Sequence, residues 1–224
     1  MICTRTQLPK EEQAVIVAKG EREILEAAKN IRAEKAKAKR AERIEKIVEI
    51  SKGNTELKTD KSYPVIYADP PWRYEHCETD IRQIENQYPT MSLDEICAIN
   101  IPATDDAILF MWTTAPKLAE GLKVVEAWGF NYRSCAIWDK QNIGMGYYFR
   151  IQHEILLIAT RGSLPTPEPA NRPRSVISIK KSDHSAKPHE VAEMIETMYP
   201  ELQKIEMFCR SPRKGWDVWG NQCA

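Results

Sequence analysis

The chain has no net charge: 32 lysines and arginines stand against 32 aspartates and glutamates. No global field therefore draws it to nucleic acid or to an anionic membrane, and any such attraction has to come from local patches. It also lacks an apolar stretch long enough to span a bilayer, and no leader pattern of charge followed by an apolar run opens it. A membrane partner is not expected. The six cysteines form no CxxC pair, and none lies near a histidine at zinc-ligand spacing. A zinc site and a disulfide scaffold are thereby excluded, no metal is expected, and the compartment reads as reducing and cytoplasmic. Cys135 and Cys209 fall within apolar runs and read as buried thiols. No internal repeat is present, and no low-complexity tract lies outside one charged segment near the start.

That segment sets the first region apart. Between residues 11 and 50 there is no proline, and Gly20 is the only glycine. Ile24, Ala28, Ile31, Ala38, Ala41, Ile44 and Val48 recur at steps that place them on one face of a helix. Lys35, Lys37, Lys39, Arg40, Arg43 and Lys46 alternate with Glu34, Glu42 and Glu45 between them. Mixed charge of this kind suits a solvated helix face, and a nucleic-acid grip or a coiled-coil seam are the sharper alternatives. Residues 51–61, with Gly53, Asn54, Thr55, Thr59 and Asp60, read as a linker. The expected boundary puts a helical arm and linker at 1–61 and a second domain at 62–224. The arm offers a surface for a homo-oligomer or another partner.

From residue 62 the texture changes. Strands are expected at 64–68 (PVIYA), 107–112 (AILFMW), 132–138, 154–159 (EILLIA), 202–208 and 216–219, with a short edge strand near 175–179. Helices are expected at 93–99, 116–128 and 188–198. Strands alternating with helices imply an α/β fold, a mostly parallel sheet with helices on both faces.

Asp69-Pro70-Pro71-Trp72 follows directly on PVIYA. Ligands of open α/β sheets bind at the carboxyl ends of strands, so a carboxylate there is a candidate site residue. Two prolines fix φ and remove two backbone donors, leaving a rigid peptide whose carbonyls are expected to be free acceptors. An exocyclic aryl amine is a poor nucleophile, because its lone pair is delocalised into the ring. A carboxylate and a proline carbonyl, each accepting one N–H bond, localise that lone pair and stabilise the charge that develops as nitrogen attacks a sulfonium methyl. Trp72 or a nearby tyrosine can stack on the base. The plain alternative is an aspartate capping a turn, with the prolines as a stiff loop.

IYADPPWRY resembles the DPPW-type adenine-N6 methyltransferases of the MT-A70 family, relatives of the subunit that methylates adenosine in messenger RNA. Further segments continue the resemblance in order. Tyr88-Pro89-Thr90-Met91-Ser92 resembles the Y-x-T-M-S loop. Trp138-Asp139-Lys140, Gly144-Met145-Gly146, Phe149-Arg150 and His153-Glu154 resemble the W-x-K…G-x-G…R…H-E block. SDHSAKPHE (182–190), IEMFCR (205–210) and GWDVWGNQ (215–222) resemble the remaining motifs, so the resemblance spans about 64–222.

It implies a Rossmann-like methyltransferase fold with permuted motif order and S-adenosyl-L-methionine (AdoMet) as cofactor. The permutation accounts for the absence of a glycine-rich fingerprint before DPPW. Asp69, Pro70, Pro71 and Trp72 take the catalytic positions. Tyr74, Tyr88 and Glu154 take positions near the substrate. Lys187 matches the lysine at the methionine end of AdoMet, while Arg210, Arg213, Asn221 and Gln222 fall where the family holds ribose and adenine. Residues 73–91 and 180–188 resemble two gates. From spacing alone, a surface lysine is the favoured reading of Lys187 and a terminal turn that of Asn221-Gln222, while Glu154 reads equally as a strand-edge acid paired with Arg150. Two departures stand out: Ser211-Pro212 replaces a histidine and asparagine of relatives, and the acid some members carry upstream of DPPW has no counterpart. The compact chain resembles bacterial, phage or plasmid members, which favours DNA over RNA as the nucleic-acid partner. An RNA methyltransferase, an inactive scaffold subunit and a binding module built on the arm are the alternatives. The intact DPPW argues for activity.

Overall fold

The computed structural model describes residues 59–74, 90–144, 146, 148–180, 187–209 and 211–220, with scattered positions between 26 and 45. The chain divides into two compact units, Met1–Ile47 and Val48–Ala224. In the first, every described position is helical; Ala28 is half-buried, while Ile31, Ala38 and Ala41 are exposed. Among the described residues no helix is long and apolar enough to cross a membrane.

The second unit is a seven-stranded sheet. Its strands are β1 (Tyr63–Ala68), β2 (Ala103–Thr113), β3 (Asn131–Asp139), β4 (His153–Arg161), β5 (Val176–Ser178), β6 (Lys204–Met207) and β7 (Asp217–Trp219). They lie in the order β5-β3-β4-β2-β1-β6-β7. Every neighbouring pair is parallel except β2 with β4 and β3 with β4. A single reversed strand thus sits in an otherwise parallel sheet. The reversal follows from the connection: β3 and β4 pair along their lengths, and no helix intervenes among the described residues of 140–152. That turn carries large apolar side chains into solvent, with Ile143 61%, Tyr148 97% and Phe149 84% exposed.

β1 reads as an unbroken apolar run because it is central and covered on both faces. Side chains alternate between two cores. Ile66 and Ala68 join Leu109, Met111, Leu157, Ile205 and Met207 under α1 (Leu93–Cys97) and α2 (Leu118–Ala127). Val65 and Tyr67 join Ile108, Phe110, Trp112, Leu156 and Ile177 under α3 (His189–Met198). Helices therefore lie on both faces, as the alternation of elements implied. α1 is only five residues long, and its start is fixed by a capping box. Ser92 Oγ accepts from Glu95 N at 3.3 Å, and Ser92 N donates to Glu95 Oε2 at 2.7 Å.

β2 begins four residues before its expected start. Thr104, Asp105 and Asp106 carry no hydrophobic signal. The backbone there is held instead by Arg161, whose Nη2 donates to the carbonyls of Ala103 and Thr104 at 2.6 and 2.8 Å. Cys209 is buried as expected, but Cys135 is only half-buried, because β3 lies near the sheet edge.

Candidate active site

β1 ends at Ala68, and its ladder with β6 reaches one step further: Asp69 N donates to Met207 O at 3.4 Å. Asp69 thus emerges at the carboxyl end of a central strand. Behind it the chain turns tightly. Trp72 N donates to Pro70 O at 2.9 Å, and Met91 N donates to Pro71 O at 2.9 Å. The expectation of two free proline carbonyls needs correcting, since each already accepts one backbone bond. A carbonyl oxygen has two lone pairs, so Pro70 keeps one acceptor position.

Trp72 is 5% exposed and donates from Nε1 to Trp112 O at 3.2 Å. The indole packs in the core under α1 and α2, so it braces the turn and is not presented for stacking on a base. Tyr74 is also engaged, with its hydroxyl 2.6 Å from Thr114 Oγ1 and its ring 5.3 Å from Lys117 Nζ.

The side chain of Asp69 meets Lys187, immediately before α3. Lys187 Nζ lies 2.8 Å from Oδ1 and 2.9 Å from Oδ2 of Asp69. The same ammonium lies 3.2 Å from Glu154 Oε2 at the start of β4, and Lys140, just past β3, sits 3.3 Å from Glu154 Oε1. Beneath Lys187 is the Trp112 ring, 5.7 Å to its centroid. Trp112 is itself fixed by donating from Nε1 to Tyr67 Oη at 2.7 Å. The result is a row of alternating charge, Lys140–Glu154–Lys187–Asp69, on an aromatic floor. It is largely removed from water: side-chain exposures are 18% for Lys140, 16% for Glu154, 16% for Lys187 and 21% for Asp69. The reading of Lys187 as a surface lysine is therefore set aside. So is the pairing of Glu154 with Arg150, whose Nε donates instead to Gly144 O at 2.9 Å.

Burial pushes the Glu154 carboxyl up, but Lys187 and then Lys140 outweigh it and hold the group below the usual carboxylate range. Burial pushes the Lys187 ammonium down, yet Asp69 and Glu154 together hold it above its ordinary value. Both stay charged near neutrality. Glu206 on β6 is a third acid nearby; burial raises its carboxyl, Arg213 opposes that and Asp69 adds to it. Arg213 reaches the start of α3, with Nη2 3.4 Å from His189 O and its guanidinium 6.0 Å from the Trp216 ring. Its buried Nε has no hydrogen-bond partner among the described residues.

The structure thus brings Asp69, Lys187 and Glu154 together and places Arg213 at the start of the helix that follows Lys187. Tyr88, Arg210, Asn221 and Gln222, and most of both expected gates, lie outside the described residues. Lys140, Trp112 and Glu206 emerge from the geometry alone. Lys140 stands in the W-x-K segment and Glu206 in IEMFCR, but only strand register discloses their surroundings.

Residues 63–222 match the sequence model of the MT-A70 family. The chain belongs to that family. It is 39% identical over 181 residues to the type II methyltransferase M.MunI of a Mycoplasma species, covering 71% of this chain and 77% of that protein. It is 31% identical over 173 residues to an MT-A70-like N(6)-adenosine-methyltransferase of Arabidopsis thaliana. The human N(6)-adenosine-methyltransferase catalytic subunit METTL3 is also 31% identical over 173 residues. This MT-A70 chain covers 24% and 28% of the length of those two proteins.

The donor set fits the cofactor that the family implies. The methionine end of AdoMet carries one ammonium and one carboxylate. Asp69 and Lys187 present one anion and one cation side by side, largely shielded from water. The carboxylate would meet Lys187 by charge-assisted hydrogen bonds when the pair opens, which would free Asp69.

Proposed function

We propose that this MT-A70 chain is an AdoMet-dependent methyltransferase that modifies the exocyclic N6 amine of adenine in DNA. The observation that carries the reading is the position of Asp69: a carboxylate at the end of a buried central strand, on a turn stiffened by two prolines, in charge contact with Lys187.

AdoMet, when bound, supplies an electrophilic sulfonium methyl. The remaining work falls to the chain. Lys187 holds the methionine carboxylate. Asp69 accepts an N–H bond from the adenine amine, localises its lone pair, and is placed to take the proton that the methylated amine must lose. Pro70 offers its remaining lone pair to the second N–H. Trp72 and Trp112 keep these groups from shifting, and a small misplacement here is expensive in rate. Tyr74 and Tyr88 are assigned to the substrate side, and Arg210, Arg213, Asn221 and Gln222 to the ribose and adenine of the cofactor. The target base has to leave its stack or start in a single strand.

DNA is favoured over RNA by architecture. The chain covers most of the type II methyltransferase but only about a quarter of the adenosine methyltransferases. Cysteines without a pairing pattern suit a reducing, cytoplasmic setting.

The test is incubation with tritiated AdoMet and single- or double-stranded DNA or RNA, followed by nucleoside analysis. Label in N6-methyladenine from DNA is expected. Label in RNA alone moves the substrate to RNA, and no label in adenine overturns the reading.

A further inference from the structure

The charged row contains more than Asp69 and Lys187 need. Lys187 has three N–H donors, and the two oxygens of Asp69 together with Glu154 Oε2 already surround them. Lys187 cannot meet a ligand carboxylate while Asp69 holds it through both oxygens. The two have to part. A largely buried ammonium left without an anion is strongly destabilised, because neither water nor another charge replaces the lost pair. Glu154 prevents that, since its Oε2 already lies 3.2 Å from the ammonium. An unopposed Glu154 would in turn keep Lys187 for itself. Lys140, 3.3 Å from the other oxygen of Glu154, offsets part of its charge.

The four groups come from four different parts of the sheet end: the turn after β1, the end of β3, the start of β4 and the approach to α3. Trp138 and Glu154 are paired in register across β3 and β4, which fixes the distance between the Lys140 and Glu154 backbones. The Lys140 backbone therefore cannot drift from Glu154 without opening the ladder.

We propose that Lys140 and Glu154 are positioning residues that set how Lys187 is divided between Asp69 and Glu154. Glu154 retains the ammonium when Asp69 is released, and Lys140 keeps Glu154 from capturing it. The inference rests on the AdoMet-dependent reading above, because the methionine carboxylate is the group that competes for Lys187.

The two variants are expected to act in opposite directions on AdoMet binding. Lys140→Met leaves Glu154 opposed by Lys187 alone, so the ammonium is held more firmly and AdoMet binds about fivefold more weakly or worse. Glu154→Gln removes the competitor, so AdoMet affinity holds or rises while kcat falls, because Lys187 stays on Asp69. The double variant returns the dissociation constant toward wild type, since the two removed charges offset one another. Lys140→Arg keeps the charge and keeps the affinity.

Titration calorimetry of AdoMet on the full chain reads all four, with thermal unfolding as a check on folding. If Glu154→Gln does not fold, the contrast between Lys140→Met and Lys140→Arg still decides. Unchanged AdoMet affinity in Lys140→Met, or weakening by the same factor in both single variants, overturns the proposal. No AdoMet uptake by the wild-type chain overturns the methyltransferase reading itself, and it is recognised before any variant is measured.

Discussion

Asp69 takes two of the three N–H donors of Lys187, so the lysine has to let it go before meeting a ligand carboxylate. Replacing Asp69 with asparagine keeps the shape and a carbonyl oxygen but removes the charge and the proton acceptor. Asp69→Asn is expected to lower methyl transfer by about a hundredfold or more, with an unfolding midpoint near wild type; an initial-rate assay on methylatable DNA checks it. Acid stability reports on the same cluster. A carboxyl held low in the folded state adds stability above its unfolded value and loses it as pH falls through the folded value. Glu154 is such a group, lowered from an ordinary 4.5. The wild-type urea midpoint should therefore fall more steeply below about pH 4.5 than that of Glu154→Gln, whose side chain does not titrate. Parallel curves would remove Glu154 from the ion-pair row. These residues differed in how far the sequence disclosed them. Asp69 was legible because two prolines and a buried strand bracket it. Trp112 was not, because the end of an apolar run gives no sign of the ammonium above its ring.

Elements followed the hydrophobic pattern wherever burial decided them. β1 and α3 fall within a residue of their expected bounds, because a central strand and an amphipathic helix each carry a clear period. The first four residues of β2 were hidden, since Arg161 and a corner at Gly162, rather than apolar contacts, hold them. Gly162 has a φ of +64°. A Cβ there would run into the Asp105 carbonyl and the Asp106 carboxylate, whose Oδ1 accepts from Ser163 N at 2.6 Å. Gly162→Ala is expected to destabilise the chain by about 1–3 kcal/mol, measured by urea unfolding, without changing AdoMet affinity. The reversed strand was likewise unreadable from composition: β4 is as apolar as the parallel strands β1 and β2, and direction is set by the connection alone.

At the scale of the molecule, two units divide the sequence, and the match to the family falls wholly beyond residue 62. Removing residues 1–61 should leave the AdoMet dissociation constant within about twofold. If the lysine- and arginine-rich arm grips phosphates, the same truncation weakens DNA binding and flattens its salt dependence; fluorescence anisotropy at several salt concentrations checks both. A neutral chain makes this test sharp, because no diffuse field masks the loss of a local patch. The reversed strand carries a further consequence. Since β4 runs against its neighbours, its first residues stand beside the last residues of β2 and β3, and the described residues of 140–152 form a lip at that rim. Changing the length of such a lip costs little, about 0.6 kcal/mol per doubling, and disturbs no strand pairing. Tyr148 and Phe149, already in water, have no packing to lose. Such a lip can therefore vary beyond Lys140 while the charged row at its base stays fixed.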